Sequence, residues 1–155
     1  MTPLGIGIVG ARFAADLHAV NYRALRGHRV ELAAVCARTR EDAEAFARHH
    51  GTARVFTDYR ALVECSDLEV VDVCATTDVH HEIAIAAARA GRHVIVEKPL
   101  TGYFGESTDP PDTMLEVALA NADAVLDAVA RAVVEVIYAG YLSAATGCRV
   151  EVAGR

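Results

Sequence analysis

The chain has 155 residues, of which 53% are hydrophobic and 23% charged, a composition typical of one globular domain and unlike that of a disordered segment. Its net charge of -6 and the lack of a basic stripe argue against nucleic acid as a partner. No apolar run approaches the roughly 18 residues of a membrane span. The start, MTPLGIGIVG, lacks the basic segment of a signal peptide, so we expect a cytoplasmic protein without a membrane partner.

Short apolar runs alternate with amphipathic stretches along the chain. The apolar runs predict six strands, at 4–9, 30–36, 53–56, 69–75, 93–96 and 133–139. The stretches between them predict five helices, at 11–25, 39–50, 58–65, 79–90 and 113–132. This alternation is typical of an α/β fold, here a single doubly wound domain with a mainly parallel, Rossmann-like sheet. Ligands of such sheets bind at the carboxyl ends of the strands.

Local signals predict where the helices begin. Thr39 and Asp58 are the expected N-caps of the second and third helices, and Thr77 or Asp78 that of the fourth. Four apolar residues fall near one face of the first predicted helix: Phe13, Leu17, Val20 and Leu25.

Glycines mark the end of the first strand. The pattern G-x-G-x-x-G matches Gly5, Gly7 and Gly10, but Gly5 and Gly7 lie inside the predicted strand. The glycine motif binds a pyrophosphate only where a strand ends and a helix begins, so we reject that match. We expect Gly5 and Gly7 instead to allow a neighbouring element to pack closely against the strand. Counting from Gly10 instead makes GARFAA the motif. The predicted cofactor-binding residues are then Gly10, Ala11, Arg12, Phe13 and Ala14.

This motif departs from the usual one at Arg12. The residue stands where a second glycine is normal, while Ala15 is an accepted substitute for the third. The Arg12 side chain would either crowd a pyrophosphate or point outward and donate to a phosphate oxygen.

The residue that ends the second strand selects between dinucleotides. An acid there binds the 2′-hydroxyl of NAD, whereas an arginine accommodates the 2′-phosphate of NADP. The stretch CARTR contains Arg38 and Arg40 and no acid before Glu41. We therefore favour NADP over NAD with Arg38 as the contact, the alternative being that both arginines are merely solvated at a helix start.

Lys98 is the only lysine among 15 basic residues, and it follows the fifth strand directly. Its ammonium can donate a proton, which a guanidinium cannot do in proteins. Glu97 can hold that ammonium and Pro99 restricts the backbone beside it. The alternative is a surface lysine without a role.

Three stretches together resemble the oxidoreductases of the Gfo/Idh/MocA family, named after glucose–fructose oxidoreductase, inositol 2-dehydrogenase and a rhizopine-catabolism protein. They are GIVGARFAADLHA at 7–19, FTDYRALVECSDLEVVDVCA at 56–75 and HHEIAIAAARAGRHVIVEKPL at 80–100. The last, with its E-K-P sequence, is the most specific. The resemblance covers about residues 4–138.

The resemblance implies roles for residues at the carboxyl edge of the sheet. Lys98 would be catalytic, beside the nicotinamide and the reacting alcohol or carbonyl of a sugar or polyol, with Glu97 close to the cofactor. The family often has Thr-Pro five residues before a His, where this chain has Ala75–Thr76 before His80. Thr76 and His80 are candidate cofactor contacts, although His80 is as readily explained as a plain helix-start residue.

The resemblance also implies a domain that we do not find. Family members continue after the sixth strand into a second domain that supplies most of the substrate pocket and the oligomer surface. We expect residues 1–139 to form the NAD(P)-binding domain and 140–155 an irregular remnant of the missing one. An incomplete oxidoreductase and a non-catalytic NAD(P)-binding module both remain open, as does homo-oligomer formation.

Metal and disulfide chemistry are not expected. The pairs His49–His50 and His80–His81 have no third ligand at metal spacing. The cysteines form no C-x-x-C pair, and we expect all four to be reduced: Cys36, Cys65, Cys74 and Cys148.

Overall fold

A computed structural model describes residues 3–25, 29–103 and 110–129. The strands are β1 (Leu4–Val9), β2 (Val30–Cys36), β3 (Arg54–Phe56), β4 (Val70–Val73) and β5 (His93–Val96). The helices are α1 (Phe13–Ala24), α2 (Arg40–His50), α3 (Tyr59–Val63), α4 (His80–Arg89) and α5 (Pro111–Val129). The predicted strand at 133–139 and the tail at 140–155 lie outside the described residues.

The five strands form one parallel sheet in the order β3-β2-β1-β4-β5. This confirms the predicted α/β, Rossmann-like architecture. The chain moves outward from β1 in one direction through β2 and β3, then returns to place β4 on the other side of β1. The strand order therefore reverses between β1 and β4, and such a switch point opens a crevice at the carboxyl ends of these two strands.

Each face of the sheet is covered by helices. One core contains Ile6 and Ile8 of β1 with small and aromatic residues of α1 and α2, among them Ala15 and Phe46. The opposite core joins Val71 and Val73 to α3 and α4. Helix α5 packs on α4, where Val125 meets Ala84. In the part of the chain described, no helix combines the length and apolarity needed to cross a membrane.

Helix α1 buries small residues rather than large ones. Ala15 and Ala19 are fully buried against the sheet, and they let the helix backbone approach it closely. The predicted apolar face is instead exposed: Phe13 by 82%, Leu17 by 53%, Val20 by 55% and Leu25 by 42%. Counting large apolar residues at helical spacing thus identified the helix but not its buried side.

Two of the three predicted helix caps are confirmed. The Thr39 hydroxyl accepts from the Asp42 amide at 3.1 Å, and the Asp58 carboxylate accepts from the Arg60 amide at 2.9 Å. The prediction for α4 is wrong, because neither Thr77 nor Asp78 caps it. These residues form a short 3-10 turn, Thr77–Val79, that leads directly into the helix without a side-chain cap.

Candidate functional site

Gly10 forms the turn between β1 and α1. Its φ of 126° is one that residues with a side chain rarely adopt, and its amide donates to the Cys36 carbonyl at 2.8 Å. A Cβ at Gly10 would overlap the backbone carbonyl of Cys74 at the end of β4. The backbone at this turn is therefore held close to both neighbouring strands.

The two earlier glycines pack against other elements. A Cβ on Gly7 would lie 2.8 Å from Leu62 Cδ2 and 2.9 Å from Leu68 Cδ1, and one on Gly5 would overlap the Asp67 carbonyl oxygen. Both glycines lie within β1. Their place in the strand confirms that close packing accounts for them.

A cleft of about 630 Å³ opens at the carboxyl ends of β1, β2 and β4. That volume suits a small-molecule ligand. Five of the sequence-predicted residues line it: Gly10, Ala11, Arg12, Arg38 and Thr76. The other five do not appear in its lining: Phe13, Ala14, His80, Glu97 and Lys98.

The start of α1 faces this cleft without a side-chain cap. Arg12 occupies the N-cap position but its side chain caps no amide, and the first α1 amide bonded within the helix is that of Asp16, to the Arg12 carbonyl at 3.0 Å. Unbonded amides at a helix start, together with the helix dipole, favour an anion such as a phosphate group.

Two arginines bring positive charge to the rim. The Arg12 side chain is 79% exposed and its Nη2 lies 3.9 Å from Asp42 Oδ2, so it points outward rather than across the turn. Arg38 is exposed at the end of β2 and makes no hydrogen bond or ion pair with any other described residue. Arg40, by contrast, is paired with Glu44 on α2 at 3.6 Å.

The lining of the cleft also contains acidic and hydroxyl side chains that the sequence analysis did not propose as site residues. The acids are Asp42 and Asp78, and the hydroxyl groups are those of Thr57 and Tyr59. Asp42 is partly neutralised by Arg12, but the pair is exposed and such pairs are weak. The cleft is therefore mixed in charge, with the cations on the β1 and β2 side.

Lys98 lies exposed just past β5, one strand beyond the cleft. The Glu97 amide continues the sheet by donating to the Val73 carbonyl at 2.9 Å. The Lys98 amide then turns back and donates to the Glu97 carboxylate at 3.0 Å. The peptide bond between Lys98 and Pro99 is cis. No hydrogen bond or ion pair of the Lys98 ammonium with another described residue is present.

His80 holds the segment that follows Lys98. Its ring is 1% exposed, with Nε2 2.9 Å from the Ala75 carbonyl oxygen and Nδ1 3.0 Å from that of Pro99. The ring thus ties the end of β4 to the Lys98 segment and is turned away from the cleft. His80 therefore holds the segments after β4 and β5 together without lining the cleft.

His18 supports the same segment from the other side. Its Nδ1 lies 2.8 Å from Asp72 Oδ2 and its Nε2 lies 3.1 Å from Glu97 Oε1. Asp72 is completely buried inside β4 and also accepts from the Tyr22 hydroxyl at 2.7 Å. Burial lowers the pKa of His18, but its hydrogen bonds to Asp72 and Glu97 and their charges outweigh that effect, so the net pKa is raised.

Sequence reasoning missed this group. His18 stood in one of the family-like stretches but was given no role, and Asp72 was read as part of an apolar strand. A carboxylate within a run of buried valines was the available signal, since a buried charge needs partners.

The thiols and the nearby ligand-type atoms fit hydrogen bonding better than metal binding. Cys36, Cys65 and Cys74 are free, whereas Cys148 lies outside the described residues. Burial, with the charge of Asp58 added, raises the pKa of Cys36 to about 11. Ligand atoms of His18, Asp72 and Cys74 lie within 4.8 Å of one another. However, the Cys74 thiol donates to Asp72 at 3.5 Å, and the 2.8 Å between His18 and Asp72 is a hydrogen-bond distance.

Comparison with known proteins identifies the family. Residues 4–132 match the family model GFO_IDH_MocA, described as an oxidoreductase family with an NAD-binding Rossmann fold. The match covers most of the chain, which therefore belongs to the Gfo/Idh/MocA oxidoreductase family and contains its NAD-binding domain.

Similar curated proteins include sugar dehydrogenases. Levoglucosan dehydrogenase of Pseudarthrobacter phenanthrenivorans is 36% identical over 114 residues, which are 69% of this chain and 29% of that protein. D-glucoside 3-dehydrogenase of Escherichia coli is 37% identical over 98 residues, 63% of this chain and 28% of that protein. The chain thus spans about three tenths of the length of these relatives.

Solved structures that resemble this chain are also oxidoreductases. Levoglucosan dehydrogenase in complex with NADH and L-sorbose superposes with a TM-score of 0.70 at 29% identity, over 83% of this chain and 32% of that one. An oxidoreductase domain protein from Kribbella flavida gives a TM-score of 0.69 at 36% identity, over 84% of this chain and 32% of that one.

Proposed function

We propose that this chain is the NAD(P)-binding domain of a dehydrogenase that transfers hydride to or from a sugar, a polyol or a related alcohol or carbonyl compound. The observation that carries the proposal is the Gly10 turn. Its backbone lies close to the ends of both β2 and β4, and it lines the cleft at the uncapped start of α1. The named relatives act on sugars, which supports the substrate class. We assign the domain to residues 1–139, with 140–155 as the beginning of a substrate domain.

The residues present fit a dinucleotide. A side chain at Gly10 would overlap the Cys74 backbone, so only glycine allows this close turn, and the first amides of α1 have no helical acceptor. The pyrophosphate would bind there, with Ala11 to Ala14 at the helix start, and the exposed Arg12 side chain would exchange its weak contact with Asp42 for an outer phosphate oxygen. Thr76 would contact the cofactor from the end of β4, and Glu97 from beyond β5.

Arg38 supports NADP over NAD. It has no partner among the described residues and stands at the end of β2, where the adenosine ribose of a bound dinucleotide would lie. A guanidinium accommodates the 2′-phosphate by paired, charge-assisted hydrogen bonds. Several solved relatives contain NADH, so an NADP preference is a property that we propose for this chain.

Lys98 is the proposed proton donor. A bound nicotinamide would supply the hydride acceptor or donor; the chain must supply a group that holds the reacting oxygen and exchanges its proton. An ammonium can do this and a guanidinium cannot. Lys98 projects from the carboxyl edge of β5 on a segment that is fixed on both sides, by His18 through Glu97 and by His80 through Pro99.

A second candidate function is a dinucleotide-binding module without turnover of its own. The chain spans about three tenths of its relatives, and the residues described here surround a cofactor cleft rather than a sugar pocket. Both functions need the cofactor site, and only the first needs the Lys98 ammonium.

Titration with NADPH and NADH, followed by a turnover screen on sugars and polyols, separates the two functions. For the 155-residue chain we expect cofactor binding without measurable turnover. In a protein that contains both domains, Lys98→Ala and Lys98→Arg should keep cofactor binding and reduce hydride transfer by about 10²–10⁴. Binding of neither cofactor would contradict both functions, and activity that survives Lys98→Ala would remove the role of the lysine.

A further inference from the structure

A chain of polar contacts runs from the buried interior to the backbone of Lys98. It begins at Asp72, which is 0% exposed in the middle of β4, and passes through His18 of α1 to the Glu97 carboxylate. The second oxygen of that carboxylate accepts from the Lys98 amide. These contacts link Asp72 of β4, His18 of α1 and Glu97 after β5 in series, and the series ends at the backbone amide of Lys98, the candidate catalytic residue.

The ring of His18 faces an acid on each side. Both of its nitrogens lie within hydrogen-bond distance of a carboxylate oxygen, at 2.8 Å and 3.1 Å. Ionised carboxylates only accept, so a neutral ring with a single N–H satisfies one of them and the protonated ring satisfies both. The raised pKa of His18 has the same cause.

Asp72 is fixed by donors from its own surroundings. The Tyr22 hydroxyl, one turn after His18 on α1, donates to Oδ2 at 2.7 Å, and the Cys74 thiol donates to Oδ1 at 3.5 Å. These two groups, with Asp72 and Glu97, are the titratable neighbours of His18 from α1 and from the ends of β4 and β5. Burial and the charge of Asp72 raise the pKa of both Tyr22 and Cys74, so the two remain proton donors.

Glu97 is the only part of this chain of contacts that reaches the Lys98 segment. A partly exposed glutamate normally samples several rotamers, but here its Oε1 is held by His18 while its Oε2 accepts from the Lys98 amide. Without the His18 contact the Glu97 carboxylate could adopt other rotamers, and the Lys98 amide would then lose the acceptor that fixes its orientation.

We propose that His18, anchored by Asp72, is a positioning residue that fixes the Glu97 carboxylate and thereby the Lys98 segment. The catalytic relevance of this contact rests on the proposed function, because it assumes that Lys98 lies beside the reacting oxygen. The contact itself is testable without any turnover.

The unique lysine gives a direct readout. Labelling the 155-residue chain with ¹⁵N-lysine yields one backbone amide signal, that of Lys98, which is followed by NMR between about pH 5.5 and 8.5. We expect its shift to inflect at the pH where the His18 ring signals titrate. His18→Gln should abolish the inflection. His50→Gln, which removes another histidine–carboxylate contact, from the buried His50 ring to the exposed Asp16 at 2.8 Å, should leave the inflection intact.

Glu97→Gln is the second variant, in case His18→Gln does not fold. It removes the carboxylate that links the two residues, so the Lys98 inflection should vanish and the His18 ring should titrate at lower pH. A wild-type Lys98 signal without an inflection, or one whose inflection survives either variant, would overturn the proposal.

A parallel titration with NADPH keeps the two claims apart. If the chain binds no dinucleotide but the Lys98 inflection depends on His18, the proposed function fails and the positioning contact stands. If the chain binds NADPH and the inflection is independent of His18, the positioning role fails and the proposed function stands.

Discussion

Nδ1 of His80 lies 3.0 Å from the carbonyl oxygen of Pro99, which joins the first residue of α4 to the segment that contains Lys98. The other ring nitrogen faces the Ala75 carbonyl at 2.9 Å, so one buried ring connects the ends of β4 and β5. His80 was expected either to contact a ligand or to be a plain helix-start residue. Its contacts are those of a structural residue, because they link the segment after β4 to the segment after β5.

Replacing this ring should destabilise the fold. His80→Leu removes both ring nitrogens that face the Ala75 and Pro99 carbonyls and so leaves buried polar groups unpaired, and we expect the free energy of unfolding to fall by about 1–3 kcal/mol in urea titrations. The matched control is His81→Leu on the same helix, because Nδ1 of His81 has no hydrogen-bond partner among the residues that the structure describes. Equal losses in the two variants would show that the contacts to Ala75 and Pro99 do not stabilise the fold.

Arg38→Ala should erase a preference for NADPH. A charge-assisted contact of about 1.5–3 kcal/mol corresponds to a roughly 10- to 150-fold ratio between the NADPH and NADH dissociation constants. Arg40→Ala is the matched control, since Arg40 is paired with Glu44 and is not in the cleft lining. Calorimetric titration with both cofactors measures the ratio. Equal affinities in the wild-type chain would refute the assignment of Arg38.

Gly10→Ala should cost more stability than the same change at another left-handed glycine. At Gly51, the C-cap of α2 with φ of 75°, alanine costs about 1 kcal/mol of backbone strain. At Gly10 the new Cβ also overlaps the Cys74 carbonyl, so we expect about 3 kcal/mol or more. Urea unfolding of both variants gives the comparison, and a smaller loss at Gly10 than at Gly51 would contradict it.

The stability that His18 provides should depend on pH. Its pKa is raised in the folded chain, so its ion pairs stabilise fully below the unfolded value of 6.5 and this contribution is lost as pH rises through the folded pKa. The difference in unfolding free energy between wild type and His18→Gln should therefore be larger at pH 6 than at pH 9. A difference that grows with pH would mean that His18 is bound in its neutral form.

Much of the fold could be predicted because buried parallel strands give continuous apolar runs. The first strand, LGIGIV, was placed at its observed bounds, and the choice of Gly10 as the turn agrees with its positive φ. The buried side of α1 was not predictable from the size of its apolar residues. Close packing against the sheet selects Ala15 and Ala19, which leaves Phe13 and Leu17 exposed.

The candidate site was only partly predictable for a related reason. Residues that follow strands, such as Arg38 and Lys98, can be placed at one edge of the sheet from their position in the chain alone. The contact between His18 and Asp72 joins residues 54 positions apart, and only the packing of α1 on the face of the folded sheet brings them together. Side-chain direction decided the rest, because His80 turns toward Pro99 instead of into the cleft.

The most direct test of the account is an NMR titration of the uniformly ¹⁵N-labelled chain with NADPH. The account predicts saturable shifts that concentrate at the amides of Gly10 to Ala14, Arg38 and Thr76, around the cleft at the switch point between β1 and β4. Saturable shifts concentrated on α5, or no saturable shifts at millimolar NADPH, would contradict it.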